Sequence, residues 1–133
     1  MIIGVSEEPP TGQPSIRTIA MPADTNPAGD ISGGWLMSQM DLAAGNLAAR
    51  VAAGRSATIA VDAMKFLRPV KVGDEVTLFA DLEKVGRTSM HIHVEAWRRH
   101  RYGERSEKVT EATFIFVALD AEGRPRVLPS ISK

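Results

Sequence analysis

The chain has 133 residues, 44% of them hydrophobic and 24% charged, and its 16 lysines and arginines balance 16 aspartates and glutamates. That is one domain's length, and a net charge of zero speaks against a nucleic-acid partner, which calls for a basic face. With no cysteine in the chain, disulfides and thiolate metal sites are excluded.

The opening stretch MIIGVSEEPPTGQP has a short apolar run, two glutamates and three prolines. It lacks the basic start and long apolar centre of a secretory signal. Residues 1–14 therefore read as a flexible leader, and the cytoplasm is the expected compartment. SIRTIAM, residues 15–21, alternates Ile16, Thr18 and Ala20 on one side and reads as a strand. PADTNPAGDISGG, rich in proline, glycine and aspartate, has the chemistry of a loop.

From about residue 34 to residue 53 the period becomes helical. Leu36, Met40, Ala43, Leu47 and Val51 form one apolar stripe, and Met37, Ala44 and Ala48 a second beside it. A helix apolar around most of its circumference is one that other structure surrounds. Gln39, Asp41, Asn46 and Arg50 interrupt the run, each costly in lipid, so no membrane span is expected. Gly54 supplies the expected C-cap.

The period then falls to two. ATIAVDAMKFL, residues 57–67, is β-prone and mixed on both faces, and reads as a central strand. VTLFADLEKV places Val76, Leu78, Ala80 and Leu82 together. TSMHIHVEAW sets Met90, Ile92, Val94 and Ala96 against Ser89, His91, His93 and Glu95, and VTEATFIFVAL closes the series. Turn signals KVGD, VGR, RYGE and DAEG separate the runs. Short turns imply antiparallel pairing. The expected fold is α+β: a long helix wrapped by an antiparallel sheet, as a single domain over residues 15–129, with a tail at 130–133.

One carboxylate, Asp41, sits within the apolar helix. Two readings stay open: it faces solvent beside Ser38, or it is held in a dry cleft as a base or nucleophile. The adjacent glycines of GDISGGW, at the helix start, offer free N–H groups and a close backbone approach, the parts of an oxyanion hole.

MPADTNPAGDISGGWLMSQMDLAAG, residues 21–45, resembles the motif of hot-dog fold acyl-CoA thioesterases, specifically the YciA-like acyl-CoA hydrolases. The likeness continues through MKFLRPVKVGDEV, VGRTSMHIHVEAW and VTEATFIFVALDAEGRPRVLP, about residues 16–129 in all. It implies a hot-dog fold and hydrolysis of acyl-CoA to free CoA and a carboxylic acid. By the same resemblance Asp41 is the catalytic carboxylate, Asn26 positions water or the thioester, and the Gly34 N–H polarises the carbonyl. Ser32 stands where relatives often carry an aromatic residue or histidine. The resemblance further implies a homodimer with shared active sites, Asn26 from one subunit and Asp41 from the other, and admits a trimer of dimers.

Coenzyme A is then part of the substrate, and neither a cofactor nor a metal is expected. His91, His93 and Glu95 alternate on one strand face, which reads as a solvated face and not a metal site. The phosphates of CoA call for cations and hydroxyls. Arg68, Lys71 and Arg87 fall at strand ends with Thr88 and Ser89 following, and GRTS, residues 86–89, is the family stretch near pantetheine or nucleotide. RRHRYGER, residues 98–105, reads as a solvated basic hairpin tip. A hot-dog hydratase is the weaker alternative, because no histidine precedes His91. A non-catalytic acyl-CoA binding module is another, for which the length leaves no output domain.

Overall fold

The computed structural model describes residues 8–130; residues 1–7 of the expected leader and 131–133 of the expected tail lie outside them. Strand β1 (Ile16–Ile19) leads through a 3₁₀ turn (Pro22–Asp24) and a loop to helix α1 (Gly33–Ala52). Four long strands follow: β2 (Ser56–Phe66), β3 (Glu75–Val85), β4 (Ser89–Arg99) and β5 (Ser106–Ala118). They form one five-stranded sheet in the order β1-β3-β4-β5-β2, antiparallel throughout.

The helix lies across one face of this sheet. Leu36, Met40, Ala43, Ala44, Ala48 and Ala52 are buried in one cluster with Val76, Leu78, Met90, Ile92, Val94, Phe114 and Phe116. Four of the six buried helix residues are alanines, so the helix backbone seats close to the strands. The period-two residues of β3 and β4 fall on the helix side as expected. No helix among the described residues is long and apolar enough to cross a membrane.

β2 is not central. It lies at the sheet edge and pairs with β5 alone. Its apolar residues mark both faces for burial, but a single chain supplies no cover: Ile59 is 61% exposed and Phe66 50%. The strand is also bent, with register shifts between Thr58 and Ala60 and between Asp62 and Lys65, and Ala63 at φ 55°.

The helix stops one residue earlier than Gly54 suggests. Ala53 takes the left-handed cap conformation (φ 51°, ψ 42°) and its N–H donates to the Ala49 and Arg50 carbonyls. Gly54 instead leaves room for a side chain from the far end of the sequence. A Cβ there would stand 2.8 Å from Arg126 Nη2, and that nitrogen donates to the orphan carbonyl of Ala52 at 2.7 Å.

The basic hairpin is solvated only at its tip, where Tyr102 is 95% exposed. Arg98 is buried; its Nη1 donates to the Pro69 carbonyl and its Nη2 to Glu107 at 3.0 Å. This hydrogen bond holds the Glu107 carboxyl below the usual carboxylate range, with Arg68 and Arg105 adding to it and burial opposing. Buried Asp74 ties the other side of the hairpin, accepting from the Lys71 N–H and pairing with His100 Nδ1 at 2.9 Å. Residues 9–14 lie over the outer face, where Pro9, Pro10, Gly12 and Pro14 share a cavity with Phe79 and Trp97.

Ala53→Gly is expected to raise the unfolding free energy by about 0.5 kcal/mol. It relieves about 1 to 2 kcal/mol of left-handed strain and returns about 0.4 to 1 kcal/mol as unfolded-chain entropy. A urea midpoint equal to or below that of the wild type would count against the cap.

Candidate active site

The loop that follows β1 delivers the chain to the start of α1. Asn26 organises that loop: its Oδ1 accepts from the Ala28 N–H at 2.9 Å and the Asp30 N–H at 3.1 Å, and its backbone pairs with that of Asp30. Its Oδ1 is thus committed to the loop. Ser32 is the N-cap, its Oγ accepting from Gly34 N–H at 3.1 Å and Trp35 N–H at 3.4 Å. The Gly34 amide singled out from the sequence is therefore already hydrogen-bonded. A ligand that takes this donor displaces a hydroxyl, which turns away about one bond.

Each glycine of the pair lines a cavity of its own. One, of about 390 Å³, is lined by Gly34, Met37, Ser38, Asp41, Thr58, Val61 and Phe114. The other, of about 330 Å³, reaches from Gly33 to Phe66, Arg68 and Val109. Gly33 lies beside the Phe66 ring, and a Cβ there would stand 3.4 Å from it, in ordinary van der Waals contact.

Asp41 is half-buried and accepts from the Thr58 hydroxyl at 2.5 Å. It shares its cavity with Ser38, as the solvated-strip reading had it, and with Met37, Val61 and Phe114, as the cleft reading had it. The helical rise between Gly34 and Asp41 is about 10 Å. Thr58 was not legible in the sequence, because its contact depends on how α1 crosses β2 and no spacing records that. Asn26 does not line this cavity. Within one chain, then, two of the three expected catalytic groups are brought together and the third is not.

The expected CoA contacts fall into two sets. Arg87, Thr88 and Ser89 form the β3–β4 turn, at the sheet end where the Thr88 carbonyl accepts from Ala118 and the Arg87 carbonyl from Leu128. Arg68 and Lys71 lie at the opposite end, roughly 33 Å away along β4. Arg68 Nη1 donates to the Lys108 carbonyl at 2.6 Å and pairs with Glu107 at 3.6 Å, and Lys71 pairs with Asp30 at 3.7 Å.

On the sheet face away from α1, His93 and Glu95 are joined by Glu111, their ligating atoms all within 4.8 Å. Glu111, not His91, completes the group, since β5 faces β4 there. Lys108 Nζ stands 2.6 Å from Glu111 and 3.8 Å from Glu95, so an ammonium already neutralises these carboxylates. Its hydrogen bond holds Glu111 below the usual carboxylate range.

The family described as "Thioesterase superfamily" matches residues 28–103. The acyl-CoA thioester hydrolase YciA of Salmonella typhimurium is 51% identical over 123 residues, 90% of this chain and 92% of that protein. A hexameric thioesterase from Yersinia pestis superposes with a TM-score of 0.86 at 49% identity, covering 92% of this chain and 99% of that one. A hexameric broad specificity acyl-coenzyme A thioesterase superposes at 0.87 with 45% identity, covering 92% and 85%.

Ser32→Ala removes the oxygen shared by two otherwise unsatisfied amides. It is expected to cost about 1 kcal/mol of stability, read as a lower urea midpoint at unchanged slope. An unaltered midpoint would show that the cap contributes nothing.

Proposed function

The chain belongs to the thioesterase superfamily, and from that premise we propose that it is an acyl-CoA hydrolase that works through Asp41. It cleaves an acyl-CoA thioester to free CoA and a carboxylic acid. The observation that carries the reading is the carboxylate of Asp41, oriented by Thr58, in one cavity with the glycine that opens α1.

Thioester hydrolysis asks little of the protein. The thiolate leaves readily, so a polarised carbonyl and a positioned carboxylate suffice. The Gly34 N–H, at the positive end of the helix dipole, takes the carbonyl oxygen in place of Ser32 Oγ. Asp41 then acts on the carbonyl carbon, through water as a general base or directly as a nucleophile. The Thr58 hydroxyl holds one carboxylate oxygen and leaves the other for the reaction. No cofactor is called for. The hydratase alternative loses ground, because His91 and His93 face away from α1 and His100 is tied to Asp74.

The open strip along Gly33, Gly34, Met37 and Ser38, with the β2 edge beside it, is what a second copy covers in this reading. Two β2 edges paired antiparallel extend the sheet and give a closed two-fold dimer. That pairing sets the start of one β2 beside the end of the other. It brings Arg87, Thr88 and Ser89 of one copy to the sheet end that holds Asn26, Arg68 and Lys71 of the other. Arg87, Thr88 and Ser89 are then the main CoA contacts. Arg68 and Lys71, each facing a carboxylate, add less. A trimer of such dimers agrees with the six-subunit assemblies of the solved relatives. A cytoplasmic location goes with this function.

Asp41→Asn keeps the shape and the Thr58 contact while removing the charge. Turnover of acyl-CoA, followed as released thiol, is expected to fall at least 100-fold in a protein with an unchanged circular dichroism spectrum; near-wild-type turnover would refute the role.

A shared site has a second signature. Asn26→Ala and Asp41→Ala proteins, each weak alone, are unfolded and refolded together. Half the dimers are then mixed, and each mixed dimer holds one intact site, so roughly a quarter of the sites recover by two-fold counting. No recovery, with mixed dimers confirmed by a mass tag, would place both residues in one subunit.

A further inference from the structure

Arg68 is committed inside the protein before any ligand arrives. It lines the cavity of about 330 Å³ beside Ser32 and Gly33, and its side chain is 33% exposed. Its Nη1 donates to the Lys108 carbonyl at 2.6 Å, which holds one edge of the guanidinium. Its Nε stands 3.6 Å from Glu107 Oε2. The other oxygen of that carboxylate, Oε1, accepts from Arg98 Nη2 at 3.0 Å. Arg98 is buried and its Nη1 donates to the Pro69 carbonyl, so Glu107 is anchored from its inner side. Arg98, Glu107 and Arg68 thus form a row that runs from the core to the cavity.

We propose that Glu107 competes with a phosphate group of coenzyme A for Arg68, and so sets how tightly the enzyme holds CoA. The inference rests on the acyl-CoA hydrolase reading, and it supplies the cause of the lesser share of CoA binding given to Arg68. A guanidinium that already faces a carboxylate gains less from a phosphate, because one contact is lost as the other forms. The exchange would be costly if it left the carboxylate without a partner. Glu107 keeps one. The Arg98 hydrogen bond is the largest of the influences that hold its carboxyl below the usual carboxylate range, ahead of the field of Arg68. Arg68 can therefore turn to a ligand while Glu107 stays charged and in place. The neighbouring pair of Lys71 and Asp30 differs. Both of its side chains are 57% exposed, and water screens so open a contact.

The exposure of the pair bounds the effect. A partly exposed ion pair contributes roughly two- to fivefold to an equilibrium constant, and Glu107 weakens CoA binding within that range. Removing a negative charge near any anion site also favours the anion, through the general field and without Arg68. An effect that passes through Arg68 disappears when Arg68 is absent. A double-mutant cycle separates the two.

The test measures the dissociation constant of CoA by titration calorimetry. Glu107→Gln keeps an acceptor for Arg98 and removes the charge that faces Arg68. It is expected to bind CoA about two- to fivefold more tightly than the wild type. Binding of pantetheine, which carries no phosphate, is expected to stay unchanged. In an Arg68→Met background the same substitution is expected to leave CoA affinity where it was. CoA binding by the folded Glu107→Gln protein that is equal to or weaker than the wild type's would overturn the proposal. So would the same tightening in the Arg68→Met background, which would point to the general field alone. If the single variant does not fold, Arg98→Met together with Glu107→Met takes its place. That pair of changes removes the ion pair whole, leaves the net charge unaltered and carries the same expectation. If the wild type neither binds CoA nor releases thiol from an acyl-CoA, the hydrolase reading itself fails, an outcome distinct from an active enzyme whose CoA affinity does not respond to Glu107→Gln.

Discussion

Everything polar in the candidate site depends on how closely α1 seats on the sheet. Ala43, Ala44, Ala48 and Ala52 meet the strands with side chains of one carbon, all fully buried. Close seating lets Asp41 reach Thr58 on β2 and lets Gly33 touch the Phe66 ring. A larger residue at any of those alanines overfills a close-packed interior. It lifts the helix and opens the carboxylate's contact before it disturbs the chemistry itself. The small residues along this face are therefore as much part of the site's geometry as the acid they position.

A single helix covers only part of a five-stranded sheet, and the arrangement leaves the shortfall at one edge. β2 carries apolar side chains that its own chain does not bury, and the strip of α1 above it holds the glycine pair. Exposed backbone edges and apolar side chains are liabilities unless something pairs with them. In the proposed assembly the same pairing that hides the edge completes the site, so structural need and catalytic need meet in one contact. The division of the proposed CoA-facing groups between opposite ends of the sheet has the same resolution.

How much of this was legible in the sequence follows from the range of each interaction. The helix, expected over residues 34–53, runs over Gly33–Ala52, because its two apolar stripes repeat every turn and need no partner to be seen. Strands β3, β4 and β5 were legible for the same reason, their alternation being local. β2 was misplaced because a strand with apolar residues mixed into both faces reads the same whether its own chain or a second copy supplies the cover. Gly54 marked the end of the helix, but its small size serves Arg126, 72 residues away, and the cap fell to Ala53. Thr58 beside Asp41 and Glu111 beside His93 depend on crossings and registers that no local pattern encodes. Asp41 stood out because one charge in an apolar helix is itself a local anomaly, whereas the roles of Asn26 and Gly34 came only with the family resemblance.

Arg126 closes the last turn of α1 from a position 74 residues beyond the carbonyl it binds. It also donates to the Leu119 carbonyl, so it joins the segment after β5 to the helix end. During synthesis the helix leaves the ribosome long before this residue does, and β2 waits as long for β5. Until then the Ala52 carbonyl lacks this partner and the edge strand lacks its neighbour. Helix end and sheet edge alike are completed by residues far along the chain, so both depend on long-range contacts.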